Sequence, residues 1–141
     1  MKESTFKAMG TLIQLKVNKE TPDEVLDMAR RMVLDFERRF SANADDSVLA
    51  DIKRNAGLQP VKVDQDIFQL IKIGKHYSLQ TGFLNIAIGP LVQLWRIGFD
   101  DARKPSDSEI QQALTLTNPE NIVLNEEKRT VFLTQKGMSI D

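Results

Sequence analysis

The chain has 141 residues, the size of one domain, and at 41% hydrophobic and 28% charged it has the composition of an ordinary globular protein. Nineteen basic residues against twenty acidic ones leave a net charge of −1 with no long run of either sign, so there is no phosphate-backbone footprint and nucleic-acid binding is disfavoured. Cysteine is absent, which excludes disulfides and thiolate metal sites, and no run of about 18 apolar residues offers a membrane span.

The N-terminus, MKESTFKAMG, lacks the apolar core of a signal peptide, and a cytoplasmic location is the expectation. The alternative is an exported, membrane-anchored lipoprotein whose signal has been trimmed. Residues 11 to 17 alternate, with Thr11, Ile13, Leu15 and Val17 on one face, and predict a half-buried strand that begins near Thr5. Thr21-Pro22-Asp23-Glu24 predicts a helix start: Thr21 as N-cap, Pro22 at the first helical position, Glu24 closing a capping box. The helix extends to about Phe40, with Val25, Met28/Ala29, Met32/Val33, Phe36 and Phe40 as its apolar stripe.

After the polar loop SANADD, Asp46 or Ser47 caps a short helix over VLADIKR. Val61 and Val63 form a short extended piece. Asp64 then caps a third helix to about Gln80, with Ile67, Phe68, Leu70, Ile71, Gly74, Tyr77 and Ser78 near its buried side and Gly82 as its C′ residue. His76 and Asp45, Asp46 and Asp51 read as ordinary surface, capping and solvated residues. Ser106 and Glu109 form a second capping box before a helix to about Leu116. Ile122–Leu124 and Thr130–Leu133 are a hairpin joined by residues 125 to 129, and Met138–Asp141 begins a further strand. These elements describe an α+β fold, a mixed or antiparallel sheet with packed helices. The strand that has barely begun at residue 138 suggests the N-terminal part of something longer.

Residues 82 to 95, GFLNIAIGPLVQLW, place two glycines and a proline inside an apolar run. Ile88-Gly89-Pro90 reads as an extended segment that breaks into a helix ending near Trp95. Its bare main chain and free helix N–H groups suit an anionic ligand. The alternative is a buried crossover whose glycines only save space. Trp95 reads as a core anchor, with ring stacking as its alternative, and Arg96 either meets a phosphate or snorkels from the helix end.

Several of these segments together resemble the FAD:protein FMN transferases, the ApbE family. Ala8-Met9-Gly10-Thr11 is similar to the family's Met-Gly-Thr opening, and Phe40-Ser41 with Asp46-Ser47 and Asn55 to a second segment. Residues 81 to 95 resemble its most diagnostic stretch, T-G-x-F/M-D-I-T-V-G-P-L-V-x-L-W. Arg103-Lys104-Pro105 and the capped helix follow in order, and residues 136 to 141 resemble the strand that enters its D-L-G-x-x-A-K-G motif. The resemblance implies an incomplete N-terminal part of a larger ApbE-like (T-fold-like) domain, with residues 1–141 forming its first portion and a metal-binding portion beyond. It implies cleavage of FAD with Mg²⁺, transfer of FMN to a Thr or Ser of a target flavoprotein, and release of AMP. The Mg²⁺ ligands and the general base are expected downstream of Asp141, so this chain by itself is expected to be inactive.

By the same resemblance Met9, Asn43, Phe83, Leu84, Asn85 and Asp141 are the nucleotide-binding candidates, with no catalytic or metal-ligating residue among them. Asn85 stands where the family carries Asp, Ala87 where it carries Thr, and Asn43 where many members carry an aromatic that stacks on the ligand. Arg96 breaks the family's Trp-Gly pattern. The other expectations are a non-catalytic flavin-nucleotide-binding module, or a structural half-fold that forms a homo-oligomer through exposed strands.

Overall fold

The computed structural model describes residues 1–141, the side chain of residue 81 excepted. It opens with β1 (Lys2–Ala8) and β2 (Thr11–Val17), an antiparallel pair with Ala8 opposite Thr11. The single strand expected from Thr5 to Val17 is therefore broken by a turn: residues 5 to 8 end β1, and residues 11 to 17 are β2. The chain reverses at Met9-Gly10, where φ is 53° and 70°. Two central residues with positive φ make a type I′ turn, whose twist matches that of the paired strands. Gly10 enters this region without strain, whereas Met9 is held there against its side-chain preference.

Helix α1 (Asp23–Phe40) follows, and its start and its buried face both differ from expectation. Pro22 is the cap residue and makes no side-chain cap, while the Thr21 backbone N–H donates to Asn18. Leu26 is buried and Ala29, Val33 and Phe40 are half-buried, whereas Val25, Met28, Met32 and Phe36 are exposed. Both sets recur at helical spacing, so periodicity could not choose between them. The β1–β2 hairpin makes the choice: Leu26 faces it, and the Arg30 guanidinium lies 5.4 Å from the ring centroid of the buried Phe6.

Ser47 caps α2 (Val48–Arg54), its hydroxyl accepting the Ala50 N–H at 3.0 Å. Helix α3 (Gln65–Thr81) ends on Gly82 in the left-handed region, as expected. Asp64 makes no side-chain cap. Its carboxylate and that of Asp66 take the Arg39 guanidinium at 3.1 and 2.6 Å, and Arg39 also lies over Phe40, tying the end of α1 to the start of α3. Ile67, Phe68, Ile71 and Ser78 are buried, but Leu70 and Tyr77 are exposed.

Residues 86 to 88 form a 3₁₀ turn that runs into α4 (Gly89–Trp95). The extended geometry expected at Ile88-Gly89 does not occur: Gly89 has φ −47° and ψ −45°. The clash that keeps most residues before proline out of the helical region involves Cβ, which glycine lacks. Helix α5 (Asp107–Leu114) carries the expected capping box, Ser106 bonding the Glu109 N–H and Glu109 returning to Ser106. The Arg103 guanidinium and then the Ser106 donors lower the Glu109 carboxyl to a pKa of about 2.

A three-stranded antiparallel sheet has the order β3 (Val61–Lys62), β5 (Thr130–Leu133), β4 (Ile122–Asn125). Its Ile122, Val131 and Leu133 join Ile52, Ile67, Phe68, Ala87 and Met138 in the main core. Residues 138 to 141 are not a strand. They have no regular secondary structure, and the Asp141 N–H donates to the Ile86 carbonyl at 3.0 Å. Met138, Ser139 and Ile140 are buried beside the 86–89 turn. Among the described residues no helix is long and apolar enough to cross a membrane.

Candidate functional site

Gly89 is buried, and the residue that covers it is Ser139. A Cβ at position 89 would lie 2.3 Å from Ser139 Oγ, 2.9 Å from its carbonyl oxygen and 3.0 Å from its carbonyl carbon. The glycine therefore admits the 138–141 segment, and the reading of Gly89-Pro90 as a bare seat for ligand is corrected to the space-saving alternative. Asn85 is likewise engaged within the fold. Its Oδ1 accepts the Ala87 N–H and its Nδ2 donates to the Thr117 carbonyl, both at 2.8 Å.

An open cleft of about 870 Å³ lies instead between the α1–α2 loop, α2, α4 and the turn after β5. The Ser41 hydroxyl shapes the loop by accepting the N–H groups of Asn43 and Ala44 at 3.2 and 3.1 Å. One turn of α2 supplies Ala50, Lys53 and Arg54, α4 and its end supply Gln93 and Arg96, and Phe99, Lys136 and Gly137 close the rim. A niche of about 90 Å³ shares Ala42, Asn43, Gln93, Arg96 and Phe99 with the cleft and adds Asp141.

The lining is cationic: Lys53, Arg54, Arg96 and Lys136 outnumber the acids Asp45 and Asp141. Lys53 Nζ donates to Gln93 Oε1 at 2.8 Å, which links α2 to α4. Arg54 bonds the Asp45 carbonyl at 2.5 Å and pairs with Asp51. Arg96 adopts φ 52°, bonds both Asp101 oxygens through Nε at 3.1 Å, and lies 4.6 Å from the Phe99 ring centroid. Among the described residues Lys53 and Lys136 have no carboxylate within 4 Å, so their charge faces the cleft uncompensated. An anion with several oxygens, such as a diphosphate, suits this lining.

The six nucleotide-binding candidates are divided by the structure. Asn43 and Asp141 meet in the niche. Met9 is 56% exposed at the tip of the β1–β2 turn, its N–H donating to Glu37 Oε1 at 2.6 Å beside a separate hollow lined by Lys7, Thr11 and Leu12. Phe83 is 99% exposed, and neither it, Leu84 nor Asn85 lines the cleft. Lys53, Arg54, Gln93, Phe99 and Lys136 were not anticipated. Lys53 and Arg54 look in sequence like an ordinary basic last turn of a helix, and nothing local signals that the other three converge on them. Among the described residues no group of three or more His, Asp or Glu side chains could hold a metal ion.

The model of the ApbE family matches residues 9–141. The FAD:protein FMN transferase of Klebsiella pneumoniae (strain 342) is 38% identical over an alignment that covers 94% of this chain and 42% of that protein. The FAD:protein FMN transferase of Treponema pallidum (strain Nichols) is 33% identical, with 94% of this chain and 40% of that protein covered. The chain thus spans less than half the length of these curated relatives. Among solved structures, the ApbE protein of Thermotoga maritima superposes with a TM-score of 0.88 at 25% identity, over 99% of this chain and 46% of that one. The flavin transferase ApbE of Vibrio cholerae, at 21% identity and a TM-score of 0.82, shares the fold over 99% of this chain and 47% of its own. An α+β chain with two small antiparallel sheets that matches family sequence and family architecture along nearly its whole length belongs to the ApbE family.

Proposed function

We propose that this chain is the N-terminal, nucleotide-holding portion of an FAD:protein FMN transferase. The observation that carries the reading is the coincidence of the family match over residues 9–141 with the cationic cleft between α2 and α4. FAD is the substrate, and a Thr or Ser hydroxyl of a flavoprotein is the acceptor. The hydroxyl oxygen attacks the FMN phosphorus, the bond to the bridging oxygen breaks, AMP departs with the electron pair, and the hydroxyl proton passes to a base. A pyrophosphate gathers negative charge on its leaving oxygen in such a step, and preorganised cations oppose that charge. Lys53, Arg54 and Lys136 supply charge of that kind here, and Asn43 supplies an amide donor and acceptor.

The lining offers no metal cage, and no step of this reading is routed through one; in our reading any Mg²⁺ ligands and the base lie in sequence beyond residue 141. The test combines FAD, Mg²⁺ and a purified acceptor flavoprotein and looks for covalent flavin as a fluorescent band in a denaturing gel. The 141-residue chain is expected to leave the acceptor unlabelled, and a form extended to the length of its relatives is expected to label it. Labelling by the 141-residue chain overturns its inactivity. No labelling by the extended form removes the transferase reading.

A further inference from the structure

Helix α1 carries more apolar surface than its own chain covers. Leu26 is buried and Ala29, Val33 and Phe40 are half-buried along one side. A second row, Val25, Met28, Met32 and Phe36, runs beside it at intervals of three and four residues and is between 37% and 57% exposed. Four large apolar side chains on consecutive turns form one patch, and a contiguous patch marks an interaction site where scattered apolar residues do not. Two of the four are methionines, whose unbranched thioethers adapt to a facing surface. The helix is also polarised in charge, with Asp23 and Glu24 in its first turn and Arg38 and Arg39 in its last. By contrast, β1 and β2 carry Lys2, Glu3, Lys7 and Lys16, charges that discourage the pairing of a strand edge.

We propose that this row is an interface between two copies of the chain, their α1 helices packed antiparallel about a two-fold axis close to the middle of the helix. Met28 of each copy then meets Met32 of the other, and Val25 lies beside Phe36. The acidic first turn of each helix faces the basic last turn of the other, and the two macrodipoles oppose, so a single surface is complementary to itself, as a two-fold interface requires. A parallel pair would set like ends together. Arg38 supplies the charge at the basic end, because Arg39 is held by Asp35, Asp64 and Asp66. Size sets the strength. The four side chains leave roughly 400 Å² uncovered on each copy, and with the charged residues that flank them two copies cover about 1,000 Å², the range of a weak, reversible dimer. None of the four lines the cleft or the niche, and the interface does not depend on a ligand.

The experiment is sedimentation velocity of the 141-residue chain across the micromolar range. The unaltered chain is expected to pass reversibly from monomer to dimer as its concentration rises. Met32→Glu puts a charge into the row and is expected to weaken association about tenfold or more. Its melting temperature at the lowest concentration is expected to be unchanged, because Met32 is exposed in the single chain. The chain has no cysteine, so Val25→Cys and Phe36→Cys chains mixed under mild oxidation report the direction of packing. An antiparallel pair links position 25 of one copy to position 36 of the other, whereas a parallel pair links like positions. A chain that stays monomeric throughout, a dimer that survives Met32→Glu unweakened, or links between like positions overturns the inference. So does a form extended to the length of its relatives that is monomeric and shields Met28 and Met32 from peroxide, for then the added chain is what covers the row.

Discussion

Gly89→Ala tests whether the 86–90 turn is sealed by the 138–141 segment. The added methyl carbon meets Ser139 Oγ at 2.3 Å, a contact that a rotamer change can relieve. It also meets the Ser139 carbonyl oxygen at 2.9 Å and carbonyl carbon at 3.0 Å, and these backbone atoms move only if the buried segment moves. Overpacking of this kind costs roughly 1–3 kcal/mol. Alanine before Pro90 adds strain in the helical region, which glycine escapes. Against these, alanine gains up to about 1 kcal/mol of helix propensity. The expected net loss is about 2 kcal/mol, or roughly 8 °C in melting temperature for a domain of this size. Thermal and urea melts followed by circular dichroism measure it. Ser139→Ala in the same chain removes the Oγ contact but leaves both backbone contacts, so the double variant should recover part of the loss and the two changes should not be additive. A Gly89→Ala chain as stable as the unaltered one would refute the packing account. If that chain also lost FAD affinity, Gly89 would be returned to the ligand.

Two further outcomes are expected. Glu109, with a folded pKa of about 2 against an ordinary 4.5, stabilises α5 fully above about pH 4.5, and that contribution disappears as the pH falls through 2. A carbon-detected NMR titration should place its midpoint near 2, and a midpoint at the ordinary value would show that Arg103 and Ser106 do not hold the carboxylate in solution. Met9→Asn should stabilise the hairpin by about 1 kcal/mol, since Asn-Gly is a favoured pair for a turn with two positive φ values. Urea denaturation measures this, and a loss of stability would contradict the turn as described.

Local chemistry was enough to fix many of the elements. Ser47 and Ser106 cap helices because a hydroxyl there satisfies a free N–H within three residues, and Gly82 ends α3 because it alone among its neighbours enters the left-handed region without strain. The 122–133 hairpin followed from two alternating runs and a polar loop, and the ordered segments, above all GPLVQLW, carried the resemblance to the family. Tertiary contacts decided the rest. Helix α1 has two apolar stripes of the same period, and only the hairpin laid against it selects Leu26 over Val25 and Met28. Asp64 is drawn from capping to Arg39 by a helix 25 residues away in sequence. The purpose of Gly89 depends on Ser139, which approaches it from the far end of the chain. Lys53, Arg96 and Lys136 become one electrostatic surface only when separate segments fold around a common cleft. A sequence records the preferences of each stretch over a few residues, whereas the close approach of distant stretches is set by the packing of the whole chain.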